Sequence, residues 1–454
     1  MGRDVMTVFD KVSNHSISLF SGGGIGDLGI EYGAKIPIIA FCEVDKNRRK
    51  LLSNNYPDAE IFGDISEEKK NIIKFAKSKL GGKRPLMITM SPPCQGMSTN
   101  GKGRLNKGKQ DKVDKKNSLI LPALQIVNSL EPEIILIENV PQMATTEIPL
   151  RGKMENLLKI IKRRLKKYRL ESVKMDFQDL GVPHKRSRLI TIGIRKKNKL
   201  SKLIGKEMVV NRSESKVLPL PDRSIISDNT LLHLANMIGD LPPIEDGVYD
   251  ENNPLHCAPK LNAWHKKIIE CTPEGKSAWY NNICPKSNCS YENELKSHSC
   301  KKCRKFLLKP LVKKKYCGSC KSEHKKSETI CTKCDGKLKY RRRLVKGFKG
   351  TSYKRMSWNG IAPTITLNSG TVSSDNKIHP SQHRSLSILE LLIISTVHSK
   401  RTELPWEGKY SFDPFVNKKE LLKCSSVPRD VIGESIPPLA MWKICENVIS
   451  IIRS

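Results

Sequence analysis

The chain has 454 residues, 38% of them hydrophobic, and a formal net charge of +35. A chain of this length can bury a large core and is expected to form two or three domains. No apolar run reaches the roughly 18 residues that span a bilayer, and the first residues lack a signal-peptide pattern, so we expect an intracellular protein. The excess of positive charge indicates a polyanionic partner without specifying an activity.

The first predicted strand, residues 15–20, leads into a glycine-rich turn at 21–29 that is expected to open a helix. Glycines allow close approach of the backbone, and a helix N-terminus offers unpaired N–H groups. A second strand, 36–41, is followed by Glu43, and an acid about 20 residues after such a turn is typical of nucleoside binding. NAD and S-adenosylmethionine both fit this pattern, and a strand-turn-helix without a ligand is the alternative. A third turn, at Asp64, is expected to accept a hydrogen bond from an adenine amino group.

The apolar run 86–90 predicts a buried strand that ends at Pro92 and Pro93, because proline cannot continue a sheet ladder. The following turn presents Cys94 at the carboxyl end of the strand, where open α/β sheets place their ligands. Cys94 is thus a candidate nucleophile, and a buried structural cysteine is the equal alternative on this stretch alone. The polar segment 96–118, with seven Lys or Arg, is expected to be a functional lid or a solvated loop.

Two later segments are expected to reach the same rim of the sheet. A buried strand at 133–137 delivers Glu138 to the rim that carries Cys94. Arg186 and Arg188 precede a strand at 189–194 and share a face if the segment is extended, so both are predicted to point into one pocket. A pair of surface arginines is the alternative. Residues 152–169 predict a basic amphipathic helix with a solvated outer face.

Eight of the 14 cysteines lie in four close pairs between residues 284 and 334. In a reduced compartment this pattern favours metal over disulfides, and the spacing of the pairs matches zinc ribbons. We therefore predict two structural Zn²⁺ ions with four thiolates each and no open coordination position, with interleaved pairing left open. His298 and His324 are expected to be surface residues. The two predicted ligand sets are Cys284, Cys289, Cys300 and Cys303, followed by Cys317, Cys320, Cys331 and Cys334.

Taken in order, these motifs resemble those of the DNA cytosine-5 methyltransferases, most closely the modification enzymes of bacterial restriction systems. The resemblance covers residues 14–195 and 360–450. Three positions depart from the family pattern: His184 replaces a glutamine, Glu434 replaces an asparagine, and residues 394–397 lack the usual Gln-Gly-Phe-Pro. The eight matching blocks are residues 20–26, 43–45, 64–65, 93–95, 138–140, 186–188, 384–390 and 433–438.

The resemblance implies an α/β fold with a Rossmann-like sheet that uses S-adenosylmethionine, together with an irregular target-recognition domain that carries two zinc-ribbon-like sites of four cysteines each. We expect a catalytic part at 1–200, a recognition domain at 201–380 with a zinc-binding insert at about 281–340, and a returning segment at 381–454 whose last helix docks on the catalytic part. S-adenosylmethionine is preferred to NAD because no hydride chemistry fits Cys, Glu and Arg around a base. The implied cofactor-binding residues are Phe20, Ser21, Gly22, Gly24, Gly26, Glu43, Val44, Asp64, Ile65 and Pro92.

The implied reaction explains the three catalytic residues. Carbon 5 of cytosine is a weak nucleophile until a thiolate, here Cys94, adds to carbon 6. Glu138 would hold the ring nitrogen and the exocyclic amine, and by resemblance Arg188 would bind the carbonyl oxygen on carbon 2. Arg186 is expected to be a supporting charge near the thiolate or a phosphate. The target base must be flipped out of the duplex, which costs a few kcal/mol.

The expected partner is double-stranded DNA, bound by a monomer in the bacterial cytoplasm at the nucleoid, with a cognate restriction endonuclease as a possible neighbour. Residues 281–355 carry 23 Lys or Arg against five Asp or Glu, and the phosphate-contact candidates there are Arg341, Arg342, Arg343, Lys337 and Lys339. Two alternatives are a tRNA cytosine methyltransferase and a zinc-dependent DNA-binding protein with an inactive fold. The large insert argues against the first, and the intact Cys94, Glu138 and Arg188 argue against the second.

Overall fold

The structure is a computed structural model that describes residues 11–93, 116–150, 152–324, 327–344, 352–373, 375–399 and 403–453. The predicted nucleophile Cys94 and most of the predicted lid lie outside the described residues. Within the described part of the chain, no helix is long and apolar enough to cross a membrane.

An eight-stranded sheet forms the centre of the fold, with the strand order β10-β8-β9-β5-β4-β1-β2-β3. Strands β1 to β5 run parallel, and β9 enters antiparallel between β5 and β8. The central strands are continuous apolar runs because helices bury both faces of the sheet. The ten strands that precede the cysteine clusters are β1 Val12–Leu19, β2 Ile38–Cys42, β3 Glu60–Phe62, β4 Arg84–Met90, β5 Ile134–Asn139, β6 Glu147–Leu150, β7 Lys153–Asn156, β8 Tyr168–Asp176, β9 Ser187–Arg195 and β10 Val209–Val210.

Helices cover the two faces of the sheet and define two separate apolar cores. Helices α2, α3 and α4 pack over one face, whereas α1, α8, α10 and α11 pack over the other. The α-helices are α1 Lys46–Asn55, α2 Ile65–Lys79, α3 Ile120–Leu130, α4 Leu157–Arg164, α5 Arg223–Ser227, α6 Leu234–Ile238, α7 Ala263–Glu270, α8 Ile388–Ile394, α9 Lys418–Leu421, α10 Val427–Glu434 and α11 Pro438–Arg453.

The C-terminal helix α11 packs against a single wide helical turn, Gly29–Gly33, that follows β1. A side-chain carbon on Gly29 would lie 2.1 Å from the carbonyl oxygen of Pro438, so only glycine permits this approach. Trp442 stands against Gly33, and Cys445 and Ile449 are buried in the same core. The first and last parts of the chain therefore share one hydrophobic core.

Two predicted elements differ from the structure. The helix predicted at 152–169 is wrong over its first residues, because Lys153–Asn156 pairs antiparallel with Glu147–Leu150. Asn156 then begins helix α4 by accepting a hydrogen bond from the backbone N–H of Lys159. The helix expected after the glycine-rich turn is reduced to the wide turn Gly29–Gly33, and α11 occupies the space beside it.

A small third core lies in the irregular region that follows the sheet, around α7. The buried guanidinium of Arg355 organises this region, since it donates to the carbonyl oxygens of Thr272, Ile269 and His379 at 2.6–2.8 Å. Backbone carbonyls without regular secondary structure need such a donor when they are buried. Arg355 thus supplies the hydrogen bonds that a helix or sheet would otherwise supply.

Candidate active site and cysteine clusters

Glu138 and Arg188 meet at one rim of the sheet. Glu138 is the penultimate residue of β5, and the antiparallel register pairs it with Ile190 of β9, so the start of β9 lies beside the end of β5. The Nε of Arg188 lies 2.6 Å from Oε1 of Glu138, and the two side chains are only 15% and 10% exposed. The structure thus brings together two of the three predicted catalytic residues as a hydrogen-bonded ion pair.

Asn139 connects this rim to the chain just before Cys94. Its side-chain Nδ2 donates to the carbonyl oxygen of Pro92 at 3.0 Å, and its Oδ1 accepts from the N–H of Val140 at 2.8 Å. A strand that ends in two prolines leaves its last carbonyls without ladder partners, so a side chain must satisfy them. The sequence indicated Asn139 only as part of a motif, and the two prolines were the signal that such a partner was needed.

The glycine-rich turn after β1 and Glu43 after β2 are joined directly by a hydrogen bond. We call the surface that the turn and Glu43 form the cleft. Glu43 accepts from the backbone N–H of Gly22 at 2.9 Å and from that of Asp45 at 2.8 Å, so both carboxylate oxygens are held in place. Gly22 and Gly24 adopt positive φ angles of 57° and 79°, which favour glycine. This arrangement fixes the carboxylate against the backbone of the turn, and a side-chain carbon on Gly24 would lie 2.6 Å from the ring of Tyr56.

The other predicted cofactor residues lie around the same cleft in different environments. Val44 is 64% exposed, whereas Ile65 is buried in the core. Asp64 begins helix α2 by accepting from the N–H of Ser66 at 2.8 Å. The hydroxyl of Ser21 donates to the carbonyl of Ser18 and stabilises the glycine-rich turn. A side-chain carbon on Gly26 would lie 3.3 Å from Ile436, so this part of the turn is closely packed. Phe20, which precedes the turn, also has a positive φ angle, 59°.

Glu434, which departs from the family pattern, closes one side of this cleft. Its carboxylate lies 2.7 Å from Nη2 of Arg48, and Arg48 also pairs with Asp45 at 3.0 Å. A side-chain carbon on Gly22 would lie 3.5 Å from Oε1 of Glu434. Burial raises the pKa of Glu434, although the hydrogen bond from Arg48 opposes this shift. The departure is therefore accommodated by a cation on helix α1.

Arg186, which we expected to be a supporting charge near the thiolate or a phosphate, bonds backbone carbonyls, and its place relative to Cys94 stays a prediction because Cys94 lies outside the described residues. The guanidinium of Arg186 is buried and donates to the carbonyl oxygens of Ile365 at 3.2 Å, Gly433 at 3.3 Å and Glu434 at 3.0 Å. These acceptors lie 179 to 248 residues away along the chain. Arg186 therefore ties the strand that carries Arg188 to the returning segment. Sequence spacing alone did not reveal this role, because the acceptors are backbone atoms.

His184, the second departure, is a buried neutral side chain. Burial, followed by the charges of Arg186, Arg188 and Lys377, holds the pKa of His184 well below its usual range. Neither ring nitrogen has a hydrogen-bond partner among the residues that the structure describes. The backbone of the same segment is fixed, since the N–H of Lys185 donates to the carbonyl of Ala362 at 2.8 Å.

The eight predicted metal-binding cysteines form two groups of four, paired sequentially rather than interleaved. Within each group all four sulfur atoms lie within 4.8 Å of one another, and none of these cysteines forms a disulfide. Contacts between neighbouring sulfurs span 3.4–3.7 Å. Four thiolates at about 2.3 Å from a tetrahedral zinc ion stand about 3.8 Å apart, so both groups fit Zn²⁺. The two groups are Cys284, Cys289, Cys300 and Cys303, and Cys317, Cys320, Cys331 and Cys334.

The same local turn recurs after each cysteine pair. The residue that follows the second cysteine has a positive φ angle in every case: Ser290, Arg304, Lys321 and Asp335. Gly318 and Gly336, which lie beside the cysteines of the second group, do not adopt positive φ angles. Gly336 serves close packing instead, because a side-chain carbon there would lie 2.8 Å from the sulfur of Cys317.

The predicted surface position of His324 is wrong, whereas His298 is exposed as expected. The side chain of His324 is 2% exposed, and its ring nitrogens contact Oε2 of Glu328 at 2.7 Å and the hydroxyl of Ser322 at 2.8 Å. His324 therefore packs behind the second cysteine group and supports it through Ser322, whose hydroxyl lies 2.9 Å from the sulfur of Cys320.

The α/β sheet, the Glu138–Arg188 pair at its rim and the cleft fit an enzyme of the methyltransferase class. Comparisons with known proteins identify the family. The profile of the family described as C-5 cytosine-specific DNA methylase matches residues 15–450. The chain belongs to this family and is a DNA cytosine-5-methyltransferase that uses S-adenosylmethionine and acts on DNA.

Curated relatives and solved structures agree with this assignment. The Type II methyltransferase M1.HgaI of Avibacterium volantium is 27% identical over 445 residues, which are 96% of this chain and 98% of that protein. The Type II methyltransferase M.DdeI of Desulfomicrobium norvegicum is 26% identical over 268 residues, 59% of this chain and 56% of that protein. A solved structure from E. coli, described as a DNA modification methyltransferase encoded within a prophage, shares the fold. Its TM-score is 0.56 at 17% identity, covering 97% of this chain and 100% of that chain.

Proposed function

We propose that this enzyme methylates carbon 5 of a cytosine flipped out of a specific duplex sequence, with Cys94, Glu138 and Arg188 as its catalytic residues. The observation that carries the proposal is the Glu138–Arg188 pair, 2.6 Å apart at the sheet rim. Asn139, next to Glu138, holds the carbonyl of Pro92, two residues before Cys94. The rim thus supplies an acid and a cation beside the turn that leads to the candidate nucleophile.

The reaction needs three actions from these side chains. The thiolate of Cys94 adds to carbon 6 of cytosine, while Glu138 supports the ring nitrogen and amine and Arg188 bonds the oxygen on carbon 2. Electron density at carbon 5 then takes up the methyl group. A base removes the proton from carbon 5, the bond between sulfur and carbon 6 breaks, and the thiolate is restored.

S-adenosylmethionine, bound in the cleft, would supply an electrophilic methyl group from its sulfonium sulfur, and the thioether S-adenosylhomocysteine would be the leaving group. Glu43 is positioned to accept from ribose hydroxyls, and its own two backbone contacts keep it in place. Gly22 and Gly24 carry no side chains of their own, and their positive φ angles favour glycine at these positions of the turn. Phe20, Val44 and Asp64 complete our proposed adenosine site.

We also propose that the eight cysteines bind two structural zinc ions and that residues 201–380 recognise the DNA target. Two closed sets of four sulfurs support the zinc proposal. Four thiolates leave no open coordination position, so the ions would stabilise this region rather than catalyse. Structural zinc sites contribute folding free energy directly, which a small insert with a limited apolar core requires.

The biological role that we propose is protection of DNA in a restriction-modification system. The support is that two relatives, matched over 96% and 59% of the chain, are named Type II methyltransferases. We expect a monomer in the bacterial cytoplasm, bound at the nucleoid, with a cognate endonuclease as its functional partner.

The central experiment incubates the zinc-loaded full-length protein with labelled S-adenosylmethionine and duplex DNA. The wild type and Cys271→Ala, which alters an exposed cysteine, should methylate the DNA, whereas Cys94→Ala should not. DNA containing 5-fluorocytosine should trap a covalent complex with the wild type and with Cys271→Ala but not with Cys94→Ala, because fluorine replaces the proton that a base must remove from carbon 5. Label incorporated only into RNA, or methylation by Cys94→Ala, would overturn the proposal.

A further inference from the structure

The second cysteine group lies at one end of a small antiparallel sheet whose outer face is strongly basic. This sheet consists of β11 Leu311–Cys317, β12 Glu323–His324 and β13 Leu338–Leu344, in the order β12-β11-β13. Directly paired residues in antiparallel strands place their side chains on the same face. Lys314 pairs with Arg341, and Tyr316 pairs with both Lys339 and Glu323.

These pairs define what we call the outer face: Lys314, Tyr316, Lys339 and Arg341, together with Glu323. The opposite face carries Cys317 and the buried side chain of His324 at the end beside the cysteine group. Farther along this face, Lys315 lies over the ring of Tyr340 at 5.6 Å. Lys314 and Lys339 are exposed and form no ion pair with any residue that the structure describes. Glu323, the acid on the outer face, reaches Arg341 at 3.7 Å, which leaves the face with a net positive charge.

Arg341 is held in place rather than freely solvated. Its guanidinium carbon lies 5.1 Å from the centre of the Tyr316 ring, which is within the range of a cation–π contact. Such stacking fixes the plane of the guanidinium and leaves donors available for a second acceptor. Lys339 and Arg341 are two residues apart on β13, which places them about 7 Å apart. Successive phosphates of one DNA strand rise about 3.4 Å along the helix axis, so this distance matches the rise over about two nucleotides.

We propose that this outer face binds the phosphodiester backbone of duplex DNA independently of its sequence, with Lys314, Lys339 and Arg341 as the phosphate contacts. The inference rests on the proposed function, since it assigns the cysteine-rich insert a role in holding the substrate of the catalytic site. Bound zinc would keep β11 and β13 rigid, so that the cations are positioned before DNA arrives. Charge that serves only solubility would need neither the stacked arginine nor a rigid sheet.

The test measures binding of the full-length, zinc-loaded protein to a fluorescent duplex as a function of salt concentration. Lys314→Gln combined with Lys339→Gln should lower the slope of log K against log salt by about 1.8, or about 0.9 for each lost phosphate contact. A fourfold rise in salt should then weaken the wild type about 12-fold more than the variant. The matched control, Lys159→Gln with Lys166→Gln, removes two exposed lysines on the outer side of the catalytic part and should keep the wild-type slope.

Methylation measured in the same samples separates the two proposals. If the wild type methylates DNA but the Lys314/Lys339 variant keeps the wild-type slope, the outer-face proposal fails and the proposed function stands. If the wild type binds DNA with the expected slopes but does not methylate it, the proposed function fails. Zinc content should be equal in all variants, because neither lysine contacts a cysteine. A slope change as large in the control would assign the effect to net charge and would also overturn the proposal.

Discussion

Replacing Arg186 with glutamine should disconnect the strand that carries Arg188 from the returning segment of the chain. The arginine donates to three carbonyl oxygens, one at Ile365 and two at Gly433 and Glu434. Each hydrogen bond to a charged donor contributes about 1.5 kcal/mol at the low end of the usual range, so three bonds contribute about 4.5 kcal/mol. Glutamine can restore at most one of them, and we expect a loss of about 3–5 kcal/mol.

The assay is thermal unfolding of purified variants at constant protein and salt concentration. At about 2 °C per kcal/mol for a large domain, Arg186→Gln should lower the melting temperature by about 6–10 °C. Arg186→Lys keeps the charge but not the planar fork of donors, so its melting temperature should be intermediate. The matched control is Arg163→Gln, since Arg163 is 53% exposed in its ion pair with Glu155 and should change stability by less than about 1 kcal/mol. A melting temperature of Arg186→Gln within about 2 °C of the wild type would refute this reasoning.

Metal analysis of the purified protein should find about two zinc ions per chain, and Cys331→Ser should lose one of them while retaining the other, because the two cysteine groups are separate. A zinc content near zero in the wild type would contradict the metal assignment. The unfolding free energy should fall as the pH is lowered from about 4.5 to 2. Burial would raise the pKa of Glu390, but the buried Arg384, hydrogen-bonded at 2.7 Å, outweighs it and lowers this pKa to about 2. The ionised carboxylate stabilises the fold above the unfolded-state pKa, and this contribution is lost on protonation. Glu390→Gln should therefore be less stable than the wild type at pH 7, and its unfolding free energy should change less between about pH 4.5 and 2. If the variant keeps the wild-type pH dependence, other groups control the loss of stability in acid.

The sequence by itself determined the features that depend on neighbouring residues. Short, mostly apolar runs identified β4 and β5, because strands buried on both faces carry no polar alternation. The two prolines after β4 marked its end, and the structure ends the strand at Met90. Cysteine pairs identified the metal groups because the ligands of each pair lie on one local turn. The order of the motifs identified the family and the cofactor-binding residues, because each motif is a run of neighbouring residues.

The tertiary structure decided the relations between distant segments. Arg186 and Arg188 have the same residue type and lie two positions apart, but Arg188 pairs with Glu138 whereas Arg186 bonds backbone carbonyls of the returning segment. Glu434 lies 386 residues from Arg48, and no local pattern indicates that the two form an ion pair. His324 resembles any polar residue of a basic insert until the fold buries it against Glu328. Local spacing encodes strands, turns and ligand sets, whereas the partner of a buried charge depends on which chain segments pack together.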